Sequence, residues 1–416
     1  MRIVKLTSGA ERRLLRGRRE RNLLAERVAS RIVADVRRRG DVALREWSKK
    51  FDGVDLRSGL WVSKRAIEKA GNAISKDLRG AIKHAARNIR AVAEKQLPRG
   101  WALDVEPGVR ISQVIRPIES IGCYVPGGRF SLMSTLLMTV IPAMVAGVRR
   151  IVVFSPKPNE QLLGAAHILG LTRVARIGGA QAIAALAYGT NTIAAVDKIF
   201  GPGNRFVTAA KQLVSSDCAI DLPAGPTEAI VLASAGNARW IAADLLAQAE
   251  HAPDAGSFLV TNSRDLAVRT QLEIYKQLEA LPKNNPAHFS TRRAGAILLA
   301  PSMTAACEFV NRFAPEHLSL PENGDSLLKE MRAAGTVFLG PWSAQAFGDY
   351  ASGSNHVLPT AGWARARGGL SAADFVKCVS VQSINRKGFK RLADDVQVLA
   401  RAEGLLAHAS AVEIRR

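Results

Sequence analysis

Cysteine is scarce in this sequence, and several common targeting signals are missing. The four cysteines (Cys123, Cys218, Cys307 and Cys378) are scattered, without a C-x-x-C pair. This spacing argues against a disulfide framework and predicts a reducing, cytoplasmic environment. The first residues lack the apolar core and the A-x-A cleavage site of a secretory signal peptide, so we do not expect one. No repeat or low-complexity segment stands out.

Acidic residues are also few, since 36 Asp and Glu face 58 Lys and Arg, for a net charge of +22. Such an excess raises the hypothesis of a nucleic acid or another anionic partner. However, apolar residues recur at helical spacing through Leu24, Val28, Ile32 and Val36. This pattern predicts an amphipathic helix with a solvated basic face. Neither zinc-finger spacing nor an aromatic RNA-binding motif accompanies it, so a nucleic-acid partner is the less favoured interpretation.

One stretch, residues 130–148, is long and uncharged enough to meet the length threshold for a membrane span. Polar residues, a proline and a glycine dilute it, and Arg149 and Arg150 lead from it into an apolar run at 151–154. We therefore predict a buried helix followed by a buried parallel strand, and no transmembrane segment.

The hydrophobic pattern predicts an α/β protein with more than one domain. A chain of 416 residues is too long for one compact core, and 47% hydrophobic with 23% charged residues is ordinary for a globular protein. Strands and helices alternate along two parts of the chain, which is typical of parallel sheets. The predicted strands are 151–154, 173–177, 197–200, 228–233, 257–261, 295–299 and 336–339, and the predicted helices are 132–147, 160–169, 180–188, 204–214, 238–251, 264–280 and 303–313.

We therefore predict two Rossmann-like parallel-sheet domains with small helical N- and C-terminal segments. Residues 1–20 form the N-terminal segment in this division. Residues 21–122 and 227–370 form a discontinuous first domain, of which the N-terminal part is helical. Residues 123–226 form a second domain, and residues 371–416 form a helical tail.

The predicted helix at 238–251 ends in an unusual pair of polar residues. Ile241 and Leu245 lie four residues apart on one face, and Gln248 and His251 follow at steps of three. A buried amide and imidazole both need partners, and a metal ion would satisfy both. The alternative is a helix end whose polar residues meet water or a neighbouring loop.

Three further segments place a histidine near acids or amides. Glu316 and His317 follow Pro315 at a predicted turn, Asp349 and His356 share a Gly/Ser-rich loop, and Glu403 precedes His408 by five residues. The other histidines (His84, His167 and His288) lack such neighbours. Together the four segments contain the nitrogen and oxygen ligands of a catalytic Zn²⁺ or Mn²⁺ site.

Seven segments, in order and with similar spacing, resemble histidinol dehydrogenases. They are 124–128 (YVPGG), 178–189 (GGAQAIAALAYG), 196–204 (VDKIFGPGN), 248–251 (QAEH), 314–318 (APEHL), 348–350 (GDY) and 355–360 (NHVLPT). The resemblance runs from about residue 20 to the C-terminus. Two positions depart from it: Thr227 stands where the family typically has serine, which leaves fine specificity open, and Arg129 is less usual there.

The resemblance implies a role for each candidate residue. The implied metal ligands are Gln248, His251, Asp349 and His408, with Zn²⁺ as the metal and Mn²⁺ or Co²⁺ as possible substitutes. Glu316 and His317 are the implied acid/base pair. The implied substrate contacts are Thr227, Gln248, His251, Glu316, His317, Asp349, His356, Glu403 and His408.

The usual dinucleotide fingerprint is absent, because G-x-G-x-x at 201–205 is followed by Phe206 instead of glycine. Glycine-rich turns at 127–128, 178–179 and 201–203 could admit a phosphate at a helix N-terminus, but tight α/β connections need the same turns. The resemblance implies NAD, with contacts at Tyr124, Gln181 and Asn204.

The implied reaction is the oxidation of L-histidinol to L-histidine through the aldehyde, using two NAD⁺. A neutral imidazole such as His317 suits removal of the alcohol proton, and a carboxylate such as Glu316 can activate water for the second step. The resemblance also implies a homodimer in which the tail of each subunit completes the site of the other. Two alternatives are a related zinc and NAD dehydrogenase for another polar alcohol, against which Glu403 argues, and a metal-dependent hydrolase.

Overall fold

The computed structural model describes residues 1–18, 22–56, 59–127, 132–222 and 225–416. These residues form three β-sheets, of six, five and three strands, surrounded by helices, and they confirm the α/β fold class. The strands are β1 (Arg2–Lys5), β2 (Trp101–Glu106), β3 (Val109–Pro117), β4 (Ser120–Tyr124), β5 (Arg150–Phe154), β6 (Val174–Ala175), β7 (Lys198–Phe200), β8 (Ala219–Ile220), β9 (Glu228–Leu232), β10 (Gly256–Thr261), β11 (Ala296–Leu299), β12 (His317–Leu320), β13 (Thr336–Leu339) and β14 (Val376–Ile384).

The helices cover the faces of these sheets. They are α1 (Ser8–Gly17), α2 (Leu23–Arg39), α3 (Asp41–Asp52), α4 (Lys64–Ala73), α5 (Lys76–Gln96), α6 (Met133–Ala146), α7 (Glu160–Ile168), α8 (Gly179–Tyr188), α9 (Arg205–Val214), α10 (Ala238–Ala249), α11 (Arg264–Glu279), α12 (Ala287–Arg293), α13 (Met303–Phe313), α14 (Gly324–Glu330), α15 (Gln345–Tyr350), α16 (Arg386–Ala402) and α17 (Leu406–Glu413). No described helix combines the length and the apolar content needed to cross a membrane.

The six-stranded sheet is parallel throughout, in the order β1-β11-β10-β9-β12-β13. Its central strands β9 and β10 are buried along their whole length, as their continuous apolar runs require. Helices α10 and α11 cover one face, and α13 covers the other through Phe309 and Phe313.

The first residues belong to this sheet and do not form a separate segment, in contrast to the predicted division at residue 20. Strand β1 pairs in parallel with β11, with Ile3 opposite Ile297. Leu14 and Leu15 of α1 then pack on the same face as Phe313. A short apolar strand cannot bury its side chains alone, so it joins the open edge of the nearest sheet.

The five-stranded sheet, in the order β6-β5-β4-β7-β8, is also parallel. The chain moves outward from β4 to β5 and β6, and then returns to place β7 on the other side of β4. The change of direction therefore lies between β4 and β7. In open α/β sheets, the carboxyl edge at such a switch point is the usual ligand site.

The helices at 23–96 pack on this five-stranded sheet, whereas the predicted division placed residues 21–122 with the six-stranded one. Buried residues of α2 and α3, such as Ile32 and Leu44, share a cluster with α8 and α9. Buried residues of α4 and α5, such as Ile67 and Ile89, share another with α6 and α7. Both faces of a parallel sheet must be covered, and these four helices extend the covering layers.

The predicted helical tail contains a long strand. Strand β14 pairs antiparallel with β3 along nine residues, and β3 pairs with β2. Helices α16 and α17 follow, packed on each other, and Asn385 anchors them by donating from its backbone N–H to the carbonyl of Gly108 at 3.0 Å. The three-stranded sheet was missed although Trp101, Leu103 and Val105 alternate with other residues in β2, which is exposed throughout.

All fourteen predicted elements of the two parallel sheets are confirmed, with both ends within two residues of the prediction. Several of their helices begin at side-chain caps, for example Asn204 before α9 and Asn237 before α10. The predicted amphipathic helix near the N-terminus is α2, which buries Ile32, Val33 and Val36.

Gly201, directly after β7, provides a test of this arrangement. Its φ is +110°, and an added Cβ would lie 2.1 Å from the backbone oxygen of Tyr124. We expect Gly201→Ala to lower the free energy of unfolding by about 2 to 4 kcal/mol, through backbone strain and the forced separation of β4 and β7.

The matched control is Gly368→Ala, since nothing lies within 4 Å of a Cβ built there. Thermal and denaturant unfolding of both variants measures the difference. Equal midpoints for the two variants would contradict the close approach of Gly201 to Tyr124.

Candidate active site

The candidate acid/base pair lies at the amino edge of the six-stranded sheet. Thr227 and Glu228 lead into β9, and Glu316 and His317 lead into the neighbouring strand β12. The predicted turn lies at Ala314, just before Pro315. This residue adopts a left-handed conformation (φ 53°) at the end of α13. The predicted pair therefore joins the sheet at its first residues instead of standing in a loop.

The Glu316 carboxyl group is buried and receives two hydrogen bonds on one oxygen. The hydroxyl of Thr227 donates to Oε2 at 2.6 Å, and the backbone N–H of Glu228 donates to it at 2.8 Å. Burial raises the pKa of Glu316 to about 8, although both hydrogen bonds act to lower it. Near neutral pH this carboxyl group is therefore largely protonated in the isolated chain.

The His317 ring is buried beside Glu316, with Nδ1 3.7 Å from Oε2. Nδ1 also lies 3.3 Å from the backbone oxygen of Glu228. Because a carbonyl only accepts, Nδ1 carries the ring proton and Nε2 bears a lone pair. Burial lowers the pKa of His317 to about 3, so the ring stays neutral. Nε2 is buried without a hydrogen-bond partner among the described residues, although Asp349 Oδ1 lies 3.9 Å away.

Gln248 lies in the last turn of α10, fully buried as the helical spacing predicted. Its Nε2 donates to the hydroxyl of Thr227 at 2.9 Å, and its Oε1 accepts from Nε2 of Gln345 at 2.6 Å. A directed chain of hydrogen bonds thus runs from Gln345 through Gln248 and Thr227 to Glu316. Gln345 was not predicted as a site residue, although it precedes Asp349 by one helical turn.

His251 departs from the predicted buried stripe. Helix α10 ends at Ala249, so His251 lies beyond it and is exposed, with Nδ1 3.0 Å from the backbone oxygen of Ala247. The helical spacing therefore does not extend to this residue, because the helix ends before reaching it.

Asp349 and His356 are brought together by α15 and the loop after it. His356 Nδ1 lies 2.9 Å from the backbone oxygen of Asp349, and its Nε2 lies 3.3 Å from the hydroxyl of Thr135 on α6. Burial raises the pKa of Asp349 and lowers the pKa of His356. The loop therefore links the site to the helices of the five-stranded sheet.

The two candidate residues of the tail lie apart from this group. Glu403 ends α16 and His408 lies in α17, both exposed, and neither side chain makes a hydrogen bond or ion pair within the described ranges. Throughout those ranges, no three His, Cys, Asp or Glu side chains are grouped closely enough to hold a metal ion. One chain therefore brings Gln248, His251 and Asp349 into one region, whereas His408 lies elsewhere. The described residues of one chain do not form a complete metal site.

The residues predicted to contact a nucleotide lie at the switch point of the five-stranded sheet. Tyr124 ends β4, Gln181 lies in the first turn of α8, and Asn204 caps α9 after β7. The Tyr124 hydroxyl accepts from the N–H of Gly179 at 3.2 Å, and Gln181 Nε2 donates to Asp52 at 3.0 Å.

Gln181 Oε1 is buried there without a hydrogen-bond partner among the described residues. Burial raises the pKa of Tyr124 to about 12. Gly128 and Arg129, which the sequence analysis singled out nearby, lie outside the described residues.

Comparison with known proteins identifies the family. The family model described as histidinol dehydrogenase matches residues 15–416. The histidinol dehydrogenase of Methanothermobacter thermautotrophicus is 45% identical over 391 residues, covering 92% of both chains. That of Aquifex aeolicus is 44% identical over 394 residues, covering 94% of this chain and 92% of the relative. A crystal structure of histidinol dehydrogenase from Elizabethkingia anophelis superimposes with a TM-score of 0.93 at 36% identity, over 100% of this chain and 98% of that one.

Proposed function

Since this chain belongs to the histidinol dehydrogenase family, and is therefore an oxidoreductase of histidine biosynthesis, we propose that it oxidises L-histidinol to L-histidine through L-histidinaldehyde. In this proposal the enzyme works in the cytoplasm and uses Zn²⁺ and two NAD⁺ per turnover. The observation that carries it is the buried Glu316–His317 pair beside Gln248 and Asp349.

His317 is the proposed base for the alcohol step. Its Nδ1–H is directed to the Glu228 carbonyl, so the lone pair of Nε2 is left for a substrate proton. The lowered pKa keeps this lone pair free at all physiological pH values. Glu316 is the proposed base for the second step, in which water adds to the aldehyde. Bound NAD⁺ supplies the hydride acceptor for each oxidation.

The donor set fits a divalent metal ion of the zinc group. Gln248, His251 and Asp349 offer an amide oxygen, an imidazole and a carboxylate, which Zn²⁺, Mn²⁺ and Co²⁺ all accept. The hydrogen bond from Gln345 fixes the Gln248 amide, and an outer partner of this kind is typical of metal ligands. When bound, the metal would hold the amine and the ring of the substrate and offset negative charge in the site.

The remaining candidate residues have supporting roles in the proposal. Thr227 would lie beside the substrate. Its hydroxyl donates to Glu316 and accepts a hydrogen bond from Gln248. His356 would contact the substrate from the loop after α15. Tyr124, Gln181 and Asn204 would contact NAD at the switch point, where Gln181 Oε1 lacks a partner among the described residues.

We further propose that the enzyme is a homodimer in which the tail of each subunit supplies His408 and Glu403 to the other. Two observations support this exchange. The tail is attached through the pairing of β14 with β3, its helices α16 and α17 pack on each other, and both side chains are exposed without polar partners within the described ranges. A reciprocal exchange closes under two-fold symmetry.

The central prediction concerns activity and metal. Purified protein should reduce NAD⁺ with L-histidinol, at two NADH per histidine, which distinguishes it from a hydrolase and from dehydrogenases of other alcohols. Chelation should abolish turnover, and Zn²⁺, Mn²⁺ or Co²⁺ should restore it. His251→Ala should also bind less metal, as elemental analysis would show. Full turnover by metal-free protein would refute the metal assignment.

A second prediction separates the two oxidations. Glu316→Gln should slow aldehyde oxidation about 10²- to 10⁴-fold, and alcohol oxidation much less, because only the second step needs an activated water. In the wild type, aldehyde oxidation should rise with pH up to about 8, since the raised pKa of Glu316 delays loss of its proton.

Stopped-flow measurements with each substrate across this pH range provide the test, and Glu316→Gln should lack the pH-dependent rise. Equal losses with histidinol and histidinaldehyde would show that Glu316 has another role.

A third prediction concerns the exchanged tail. His251→Ala and His408→Ala should each be nearly inactive, but unfolding and refolding them together should restore activity. A mixed dimer then has one site with both changes and one site with neither. Random pairing makes half of the dimers mixed, so recovery should approach about a quarter of the wild-type level. Verified mixed dimers without activity would place His408 in its own subunit's site.

A further inference from the structure

The backbone of Glu228 contacts both members of the proposed catalytic pair. Its N–H donates to Oε2 of Glu316 at 2.8 Å, and its carbonyl oxygen lies 3.3 Å from Nδ1 of His317. The first contact orients the carboxyl group, and the second selects the tautomer that leaves Nε2 unprotonated. Any displacement of the Glu228 backbone would therefore move both groups at once.

The side chain of Glu228 is buried and points to a cation from a distant part of the chain. It is 5% exposed, and Nε of Arg18 donates to its Oε2 at 2.7 Å while Nη2 donates to Oε1. Burial is the largest influence on this carboxyl group and raises its pKa, and the Arg18 guanidinium acts to lower the pKa. A buried carboxylate held at both oxygens by one guanidinium has a strongly preferred position, because a buried charge without its partner is unfavourable.

Arg18 is itself held by three kinds of contact at the end of α1. Its Nη1 donates to the backbone oxygen of Phe313, and its guanidinium lies 3.5 Å from the centre of the Phe313 ring. The same helix is attached to α13 by an ion pair between Glu11 and Arg312. A planar guanidinium can satisfy a carboxylate, a carbonyl and an aromatic face together, which an ammonium group cannot.

We propose that Arg18 and Glu228 are positioning residues for the oxidation of histidinol: the ion pair fixes the Glu228 backbone, and this backbone fixes Glu316 and His317. The proposal rests on the function proposed above. It assigns a catalytic consequence to the N-terminal helix, which contributes no group to the chemistry itself.

The test compares Arg18→Met with Arg312→Met. Both variants remove an arginine that attaches α1 to the sheet domain, but only Arg18 contacts Glu228. For Arg18→Met we expect kcat for both oxidations to fall about 10- to 100-fold, since a displacement of about 1 Å has effects of this size. KM for histidinol, the metal content and the number of histidinol sites by calorimetry should stay within about twofold. Arg312→Met should keep the wild-type kcat.

The conservative variant Arg18→Lys makes the test independent of whether Arg18→Met folds. It keeps a cation for Glu228 but loses the fork geometry, so its kcat should lie between those of the wild type and Arg18→Met. Unchanged kcat in Arg18→Lys and in any folded Arg18→Met would overturn the proposal. A fall in kcat that only matches a loss of histidinol sites would also overturn it, because the pair would then serve stability alone.

The outcome for the wild type separates this proposal from the proposed function. If the wild type and the Arg18 variants oxidise histidinol equally well, only the positioning role of Arg18 and Glu228 is contradicted. If the wild type does not oxidise histidinol, the proposed function itself is contradicted.

Discussion

The parallel pairing of β9 with β12 is the constraint on which the candidate active site depends. It places Thr227 and Glu228 beside Glu316 and His317, 89 residues later in the chain, with His317 opposite Ala229. Side chains alternate between the two faces of a strand, so a slip of one residue would turn these groups away from each other. The hydrogen bonds to Glu316, the tautomer of His317 and the contact with Gln248 all require this register.

The two parallel sheets use opposite edges for their candidate sites. The proposed catalytic groups lie at the amino edge of the six-stranded sheet, and the proposed NAD contacts lie at the carboxyl edge of the five-stranded one. The loop after α15 joins the two units, since Asn88 donates to the carbonyl of Ala351 at 2.8 Å and Asn355 donates to that of Met138 at 2.7 Å. This anchoring places His356 against α6, so the site includes both sheets.

Seven of the eleven described strands in the two parallel sheets were predicted, because they are short apolar runs, whereas β1, β4, β8 and β12 were not. The domain division was harder to predict. Helices α2 to α5 precede every strand of the two parallel sheets except β1, and their apolar faces do not specify which sheet they will cover. Strands β2 and β14 were also missed, although the alternate apolar residues Trp101, Leu103 and Val105 of β2 are a strand signal. Strand β1 is short, and only its pairing with β11 shows where it belongs.

The sequence by itself determined the family, the α/β class and the candidate residues, because specific motifs and hydrophobic spacing are local properties of the chain. It also placed Gln248 on the buried face of α10. Only the tertiary structure decided that His251 lies beyond the helix, that Gln345 contacts Gln248, and that Arg18 reaches Glu228 across 210 residues. It also decided the protonation of Glu316 and His317, because burial and hydrogen-bond partners, which shift a pKa, come from residues distant in sequence.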